Sequence, residues 1–321
     1  MSILRKNSKT LVTGASGFVG SQLCKYLLDA GYDVLGSVRG TPSMPYEQQG
    51  PELDVSANWQ PMLQGVSTIV HCAARVHMLA DKSADPLAEY RRVNVDGTLA
   101  LARQAVANGV KRFVFLSSIK VNGESTEPGQ PFTEEILIPP QDPYGLSKYE
   151  AELGLQELAR EAQMEVVIIR LPLVYGPGVK ANFLRMIKLV DAGIPLPLGR
   201  VSNQRSLIYV SNLCHFIELA INHPAAANEI FLISDAEDVS TPQLLTAIGR
   251  ALGKKYRMLS MPVSGLTFLA SVCGMKPVID RLVGSLQLDI GKARKLLGWT
   301  PVATVENGLA ETINAYRIQG E

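Results

Sequence analysis

Thr13-Gly14-Ala15-Ser16-Gly17-Phe18-Val19-Gly20 decides the fold of this chain. Its glycines stand three apart, in a G-x-x-G-x-x-G pattern. The apolar run that ends at Thr10–Thr13 reads as a strand. After the glycines, Phe18–Ala30 is apolar at Val19, Leu23, Tyr26, Leu27 and Ala30, the spacing of a helix, and Gly31 closes it as a C-cap. Between a strand and a helix the three glycines serve different ends. Gly14 permits the tight turn, Gly17 lets backbone approach a pyrophosphate, and Gly20 lets helix and sheet pack closely. Ser16, Phe18 and Val19 complete the loop and the first helical turn, whose unpaired N–H groups carry partial positive charge toward phosphates. A glycine triplet alone is weak evidence; its position in the first strand–helix unit gives it weight as a nucleotide-binding motif.

Outward from this loop the alternation continues. Strands are expected at Asp33–Val38, Glu52–Val55, Thr68–His71, Arg112–Ser117 and Glu165–Arg170, with helices over Pro86–Asn108 and Ser147–Gln163. Strand–helix alternation at this spacing predicts an α/β fold, a Rossmann doubly wound parallel sheet with helices on both faces. Beyond Arg170 proline and glycine become dense (Pro172, Gly176, Pro177, Gly178, Pro195, Pro197, Gly199), and helical patterns dominate after Ser240, the last from Thr304 to Ile318. That change predicts a smaller, mostly helical lobe.

Composition narrows the function. Lysine plus arginine (31) nearly balance aspartate plus glutamate (30), so no global field draws nucleic acid or anionic membrane; an anionic ligand must be held by local features. Of four cysteines, Cys24, Cys72, Cys214 and Cys273, none lies in a C-x-x-C pair or a metal-ligand spacing, and no metal is expected. They read as small buried hydrophobes in a reducing compartment. The start Met1–Lys9 is polar and runs straight into a strand, and the longest apolar stretch, Val263–Met275, is shorter than the roughly 20 residues a membrane span needs. A cytoplasmic protein with no membrane span is expected.

The end of the second strand chooses between dinucleotides. An acidic residue there would bond the ribose 2′-OH of NAD. The chain has Ser37-Val38-Arg39-Gly40 instead, with no carboxylate to repel a 2′-phosphate and a guanidinium to pair with one. NADP(H) is favoured, with NAD(H) open. Asp54-Val55 would close the third strand near the adenine amino group, and the small residues Ala73 and Ala74 of His71-Cys72-Ala73-Ala74 suit close passage of the cofactor.

Pro143-Tyr144-Gly145-Leu146-Ser147-Lys148 holds a Y-x-x-x-K pair. Residues four apart on a helix share a face. An ammonium beside a phenol favours phenolate and is expected to lower the tyrosine from its usual value of about 10, so that it can give a proton to a carbonyl oxygen or take one from an alcohol. Ser118, closing Phe113-Val114-Phe115-Leu116-Ser117-Ser118 at the C-terminal edge of the fifth strand, would hydrogen-bond the reacting oxygen beside Tyr144. The triad Ser118, Tyr144 and Lys148 is the predicted catalytic group.

With these motifs in order, the chain resembles the extended short-chain dehydrogenase/reductases of the NAD(P)-dependent epimerase/dehydratase group. The resemblance rests on Thr13–Gly20, Val70–Ala74 (VHCAA), Asn94–Thr98 (NVDGT), Phe113–Ser118, Pro143–Lys148, Arg170–Gly178 (RLPLVYGPG), Ser206–Leu213 (SLIYVSNL) and Lys295–Pro301 (KLLGWTP), and covers nearly the whole length. It implies a dinucleotide-binding domain of residues 1–171 with about 206–234, and a nucleotide-sugar lobe of about 172–205 with 235–321. It further implies that Asn94 supports the catalytic geometry, that Tyr144 and Lys148 also meet the cofactor, and that Leu171 and Pro172 border the nicotinamide. For the UDP-sugar it implies Asn182 on the diphosphate, Pro197 and Leu198 about the base, and Arg205 and Arg281 neutralising the phosphates. In the family the helices corresponding to 86–108 and 147–163 pair across a two-fold axis, which implies a homodimer, although the same apolar faces would equally serve a monomer core.

Two departures from the family pattern bear on the activity. Asn122 stands where a tyrosine often follows the fifth strand, and is expected at the substrate; Arg39 replaces the frequent acidic residue. Among family members the chain is most similar to bacterial surface-polysaccharide 4-ketoreductases and to UDP-glucose 4-epimerase-like proteins. The leading expectation is therefore NADPH-dependent reduction of the C4 ketone of a UDP-2-acetamido-2,6-dideoxy-4-keto-hexose, giving UDP-N-acetylquinovosamine or UDP-N-acetylfucosamine for O-antigen. The first rival is a UDP-hexose 4-epimerase with tightly held NAD. A 4,6-dehydratase lacks its acid, since Ile119 and Lys120 follow Ser118, and a cofactor-sensing scaffold would not need the Tyr/Lys pair.

Overall fold

The computed structural model describes residues 8–76, 85–272, 274 and 276–320; Cys273 lies outside the described residues. The first half runs β1 (Lys9–Thr13), α1 (Phe18–Asp29), β2 (Val34–Val38), β3 (Glu47–Gln49), α2 (Gln60–Leu63), β4 (Val66–His71), α3 (Pro86–Arg91), α4 (Thr98–Ala107), β5 (Arg112–Ser118), α5 (Pro143–Glu161) and β6 (Glu165–Leu171). Then follow β7 (Leu173–Tyr175), α6 (Ala181–Asp191), β8 (Leu207–Tyr209), α7 (Val210–Asn222), β9 (Ile230–Leu232), α8 (Thr241–Ala251), α9 (Val263–Val272), α10 (Lys276–Val283), α11 (Gly291–Leu297) and α12 (Val305–Gly320). Seven strands form one sheet in the order β3-β2-β1-β4-β5-β6-β9, every pairing parallel. A parallel pair β7–β8 stands apart from it.

The chain turns back on itself between β1 and β4, and that reversal opens a crevice at their C-terminal ends, where ligands of such sheets gather. The central strands are buried on both faces, so alternate residues serve two cores. Val12, Val114, Val167 and Ile169 join Leu23, Leu27, Phe216 and Ile217 on the side of α1 and α7. Leu11, Ile69, Phe113, Phe115, Val166 and Ile168 join Leu101, Ala105, Ala151 and Leu155 on the side of α4 and α5. Each such side chain contributes about 1.5–3 kcal/mol of burial, which fixes the strand ends, and hence the site, as a rigid edge. Among the described residues no helix is long and apolar enough to cross a membrane, and Cys24, Cys72 and Cys214 are free thiols.

Three elements differ from the sequence reading. The third strand is Glu47–Gln49, not Glu52–Val55: Glu47, Gln48 and Gln49 pair with Gly36, Ser37 and Val38. The Gly50 N–H makes a last bond to the Val38 carbonyl, and Pro51 has no N–H to extend the ladder. The helix expected over Pro86–Asn108 is interrupted by a wider π turn at Arg92–Gly97 between α3 and α4. Gly97 is forced there, because a Cβ would lie 2.8 Å from the Leu53 carbonyl carbon and 3.0 Å from the Asp54 nitrogen. Finally, α5 starts at Pro143 rather than Ser147. Asp142 caps it, its Oδ2 accepting from the Gly145 N–H at 2.8 Å, and Pro143 takes the first helical position.

Candidate active site

The glycine loop joins β1 to α1 at the crevice. Gly14 has φ +69°, and a Cβ on it would lie 2.9 Å from the backbone of Ala73, so the loop touches the chain leaving β4. On Gly20 a Cβ would lie 2.2 Å from the Gly14 carbonyl oxygen, so helix and turn pack backbone to backbone. Gly17 is the N-cap of α1 and no side chain caps the helix; the N–H groups of its first turn are available to phosphate oxygens. A dinucleotide pyrophosphate fits these residues. Ser16 is exposed and Phe18 and Val19 are half-buried around the same turn.

A buried chain of hydrogen bonds that the sequence reading did not use stiffens this loop. Thr13 Oγ1 lies 2.7 Å from His71 Nδ1, His71 Nε2 lies 3.0 Å from Thr98 Oγ1, and the Ala73 N–H donates to Thr13 Oγ1. Burial first, and the Lys148 charge second, push His71 down to about 3, so it is a neutral strut. The histidine was visible in Val70–Ala74, but its two partners come from β1 and α4.

The other predicted cofactor residues differ in their engagement. Arg39 is exposed just past β2, its carbonyl accepting from Gln49. Asp54 and Val55 sit in a turn instead of ending a strand. The Asp54 carboxylate accepts from the Ser56 N–H and hydroxyl, which hold its pKa low, and Val55 is 72% exposed. Ala74 follows Ala73 in the loop after β4, while Leu171 ends β6 and Pro172 leads into β7.

Tyr144 occupies the first turn of α5 and Ser118 the last residue of β5, and the Ser118 hydroxyl lies close enough to the phenol to act on its acidity. The phenol thus points to the C-terminal sheet edge. The sequence expectation that Lys148 governs its acidity is corrected. Burial is the largest influence and pushes Tyr144 up to about 12, and the contact that draws it back down is Ser118. Lys148 is 2% exposed, with its Nζ 4.0 Å from the centre of the Phe115 ring. Burial pushes it down to about 7, against the pull of the Glu152 carboxylate.

Asn94, in the π turn, holds this helix start. Its Oδ1 accepts from the Arg75 N–H, and its Nδ2 donates to the Arg75 carbonyl and to Ser147 Oγ, which in turn donates to the Tyr144 carbonyl at 2.8 Å. Wider π turns recur at functional sites because they re-aim such side chains.

Asn122 is engaged elsewhere. Its Oδ1 accepts from Arg170, and its Nδ2 donates to the carbonyls of Thr133 and Glu135. Both ends of the amide are occupied by the fold, which is a different use from the substrate contact expected.

Of the residues assigned to the sugar nucleotide, Asn182 is exposed in the first turn of α6, directly after Ala181 with φ +54°. A non-glycine residue held in that region is strained, and such strain gathers at ligand sites. Arg205 Nη1 donates to the carbonyls of Arg281 and Gly284, and its guanidinium feels both burial and the Arg281 charge, each lowering its pKa. The two positive charges are thus close enough to oppose each other. Pro197 is half-buried, while Leu198 is 2% exposed and belongs to the core.

The model of the NAD dependent epimerase/dehydratase family matches residues 10–234. This chain belongs to that family. A UDP-glucose 4-epimerase of Vibrio cholerae is 45% identical over 97% of each chain. Of solved structures, MoeE5 in complex with UDP-glucose and NAD is 26% identical, with a TM-score of 0.76, over 98% of this chain and all of that one. UDP-glucuronic acid 4-epimerase from Bacillus cereus in complex with NAD, at 22% identity, shares the fold with a TM-score of 0.78 over 98% of this chain and 100% of its own. Enzymes of the family use nicotinamide cofactors.

Proposed function

We propose that this protein interconverts the C4 epimers of a UDP-hexose, with a nicotinamide dinucleotide retained in the crevice between β1 and β4. The observation that carries the reading is the placement of Ser118 at the end of β5 beside Tyr144 in the first turn of α5, with buried Lys148 one helical turn along. The likeness to the Vibrio cholerae 4-epimerase supports the sugar and the position. A nicotinamide dinucleotide, when bound, would supply reversible oxidation and reduction at C4. The chain supplies the proton chemistry: Tyr144 Oη takes the proton from the C4 hydroxyl and returns it, Ser118 Oγ holds the same oxygen, and Lys148 sets its amine one helical turn from the transfer. Arg205 and Arg281, with Asn182, would hold the diphosphate, and the first turn of α1 the dinucleotide pyrophosphate.

Arg39 favours a second reading, one-way reduction of a UDP-linked 4-keto-6-deoxy amino sugar with NADPH. It stands where an NAD site usually places a carboxylate. The two readings part in one experiment. The purified protein should release NAD on denaturation and convert UDP-galactose to UDP-glucose, followed by NMR, with no added cofactor. Failure to interconvert, together with oxidation of NADPH by the 4-keto sugar, would replace the epimerase with the reductase.

A further inference from the structure

On α5, Tyr144, Lys148 and Glu152 succeed one another at intervals of four and share one face. Glu152 and Lys148 are 1% and 2% exposed. The carboxylate of Glu152 is gripped from below: Arg170 on β6 donates from Nε to Oε1 at 3.1 Å and from Nη2 to Oε2 at 2.7 Å, and Ser117 Oγ donates to Oε1. Arg170, also 1% exposed, spends Nη1 on Asn122 and on the Glu134 carbonyl. The anion is thus locked one turn beyond the lysine.

The other groups facing Lys148 carry no negative charge. From the end of β4 comes His71, a neutral imidazole, and from just beyond it Cys72, whose thiol burial keeps protonated. From β5 comes the Phe115 ring, and Tyr144 lies on the lysine's own helix with its phenol protonated. Glu152 is the one anion set against Lys148 among the described residues that face it. A buried ammonium without a counter-charge loses its proton.

We propose that Glu152 is a positioning residue for proton transfer: fixed by Arg170 and Ser117, it keeps Lys148 an ammonium beside Tyr144. This rests on the proton-transfer role given above to the Tyr/Lys pair. The consequence is directional. With Glu152 present, the pull of its carboxylate on Lys148 is upward; with it gone, Lys148 deprotonates at lower pH, and the alkaline limb of turnover moves down with it.

The test reads Lys148 itself. Protein with 13C-labelled lysine Cε is titrated by NMR, the Lys148 signal being identified by its loss in Lys148→Met. Glu152→Gln should lower the midpoint by on the order of one pH unit, and Glu152→Asp should retain the wild-type midpoint. Because Glu152→Gln strands the Arg170 guanidinium and threatens folding, the double variant Glu152→Gln/Arg170→Met is titrated too; removing both charges of a buried pair is far better tolerated than removing one. It should still titrate below the wild type, by less than the single variant, because the guanidinium lost with the carboxylate also opposed the ammonium, from farther away. A folded double variant whose Lys148 midpoint equals that of the wild type would overturn the proposal and leave the Glu152–Arg170 pair a structural clamp alone. The midpoint is measured without substrate, so absence of UDP-hexose interconversion would remove the functional reading and leave this result standing.

Discussion

Tyr144→Phe lowers turnover by about 100- to 10,000-fold, the usual span for loss of a positioned proton-transfer group, and leaves KM for the UDP-sugar within about threefold of the wild type, since the group acts in the transition state. The substitution removes one oxygen and little else. The ring of Tyr144 meets that of Tyr90 edge-on, with centroids 5.8 Å apart, and phenylalanine keeps that contact. The start of α5 is fixed by backbone and neighbouring groups: the Asp142 cap, and the chain from Asn94 through Ser147 to the Tyr144 carbonyl. None involves the phenol, so the thermal midpoint should hold. Ser118 remains at the strand end, but a serine hydroxyl without the phenol has no group poised to accept its proton. Steady-state rates of epimer interconversion, with a thermal melt as control, decide the matter. A fall of less than tenfold in a fully folded Tyr144→Phe would mean that another group carries the proton, and the assignment of the triad would go with it.

How far this site could be read from the sequence depends on how local each signal is. The glycine loop, the Tyr/Lys spacing and the strand-ending Ser118 are written in consecutive residues, because turn, helix face and strand end are local geometries. The buried strands declared themselves by their apolar runs. At the sheet edge β3 did not, for a physical reason. Glu47-Gln48-Gln49 is polar and makes its ladder with β2 alone, so the backbone bonds rather than apolar side chains hold it. The π turn is likewise illegible: Arg92–Gly97 continues a helical pattern, and the contact that requires a glycine at its end comes from the distant Leu53–Asp54 backbone. The start of α5 was legible in Asp142-Pro143, a cap followed by the residue best suited to the first helical position. Read that way, Tyr144 falls inside the helix rather than before it. The support of Lys148 lies between these cases. Its spacing to Glu152 is plain in the sequence, but that Arg170 and Ser117 close on Glu152 depends on β5 and β6 lying in parallel register, with Ser117 opposite Arg170.

Gly20→Ala tests whether the loop is a dinucleotide cradle or merely a turn, and its effect should be nearly as large. The added methyl has nowhere to go: its carbon would sit 2.2 Å from the Gly14 carbonyl oxygen, 2.8 Å from the Gly14 carbonyl carbon and 3.1 Å from Ala15 Cα. These are backbone atoms, and no rotamer change relieves them. Either α1 moves away from the turn or the turn opens. Moving α1 disturbs Leu23, Cys24 and Leu27, each fully buried against the sheet, at an overpacking cost of about 1–3 kcal/mol. Opening the turn withdraws the first-turn N–H groups from the place where Gly17 leaves them uncapped, and pulls Gly14 against the Ala73 backbone, which it already touches closely. Both routes misplace the phosphate donors, and misplacement by about 1 Å at such a site costs on the order of 100-fold. The variant should therefore purify without bound dinucleotide, bind added NAD on the order of 100-fold more weakly by calorimetry, and melt about 5 °C lower. The Tyr144→Phe protein serves as the contrast, because it should keep its cofactor while losing turnover. A Gly20→Ala protein that melts lower yet holds NAD as the wild type does would show that the close approach serves packing alone, and that the phosphate donors lie elsewhere.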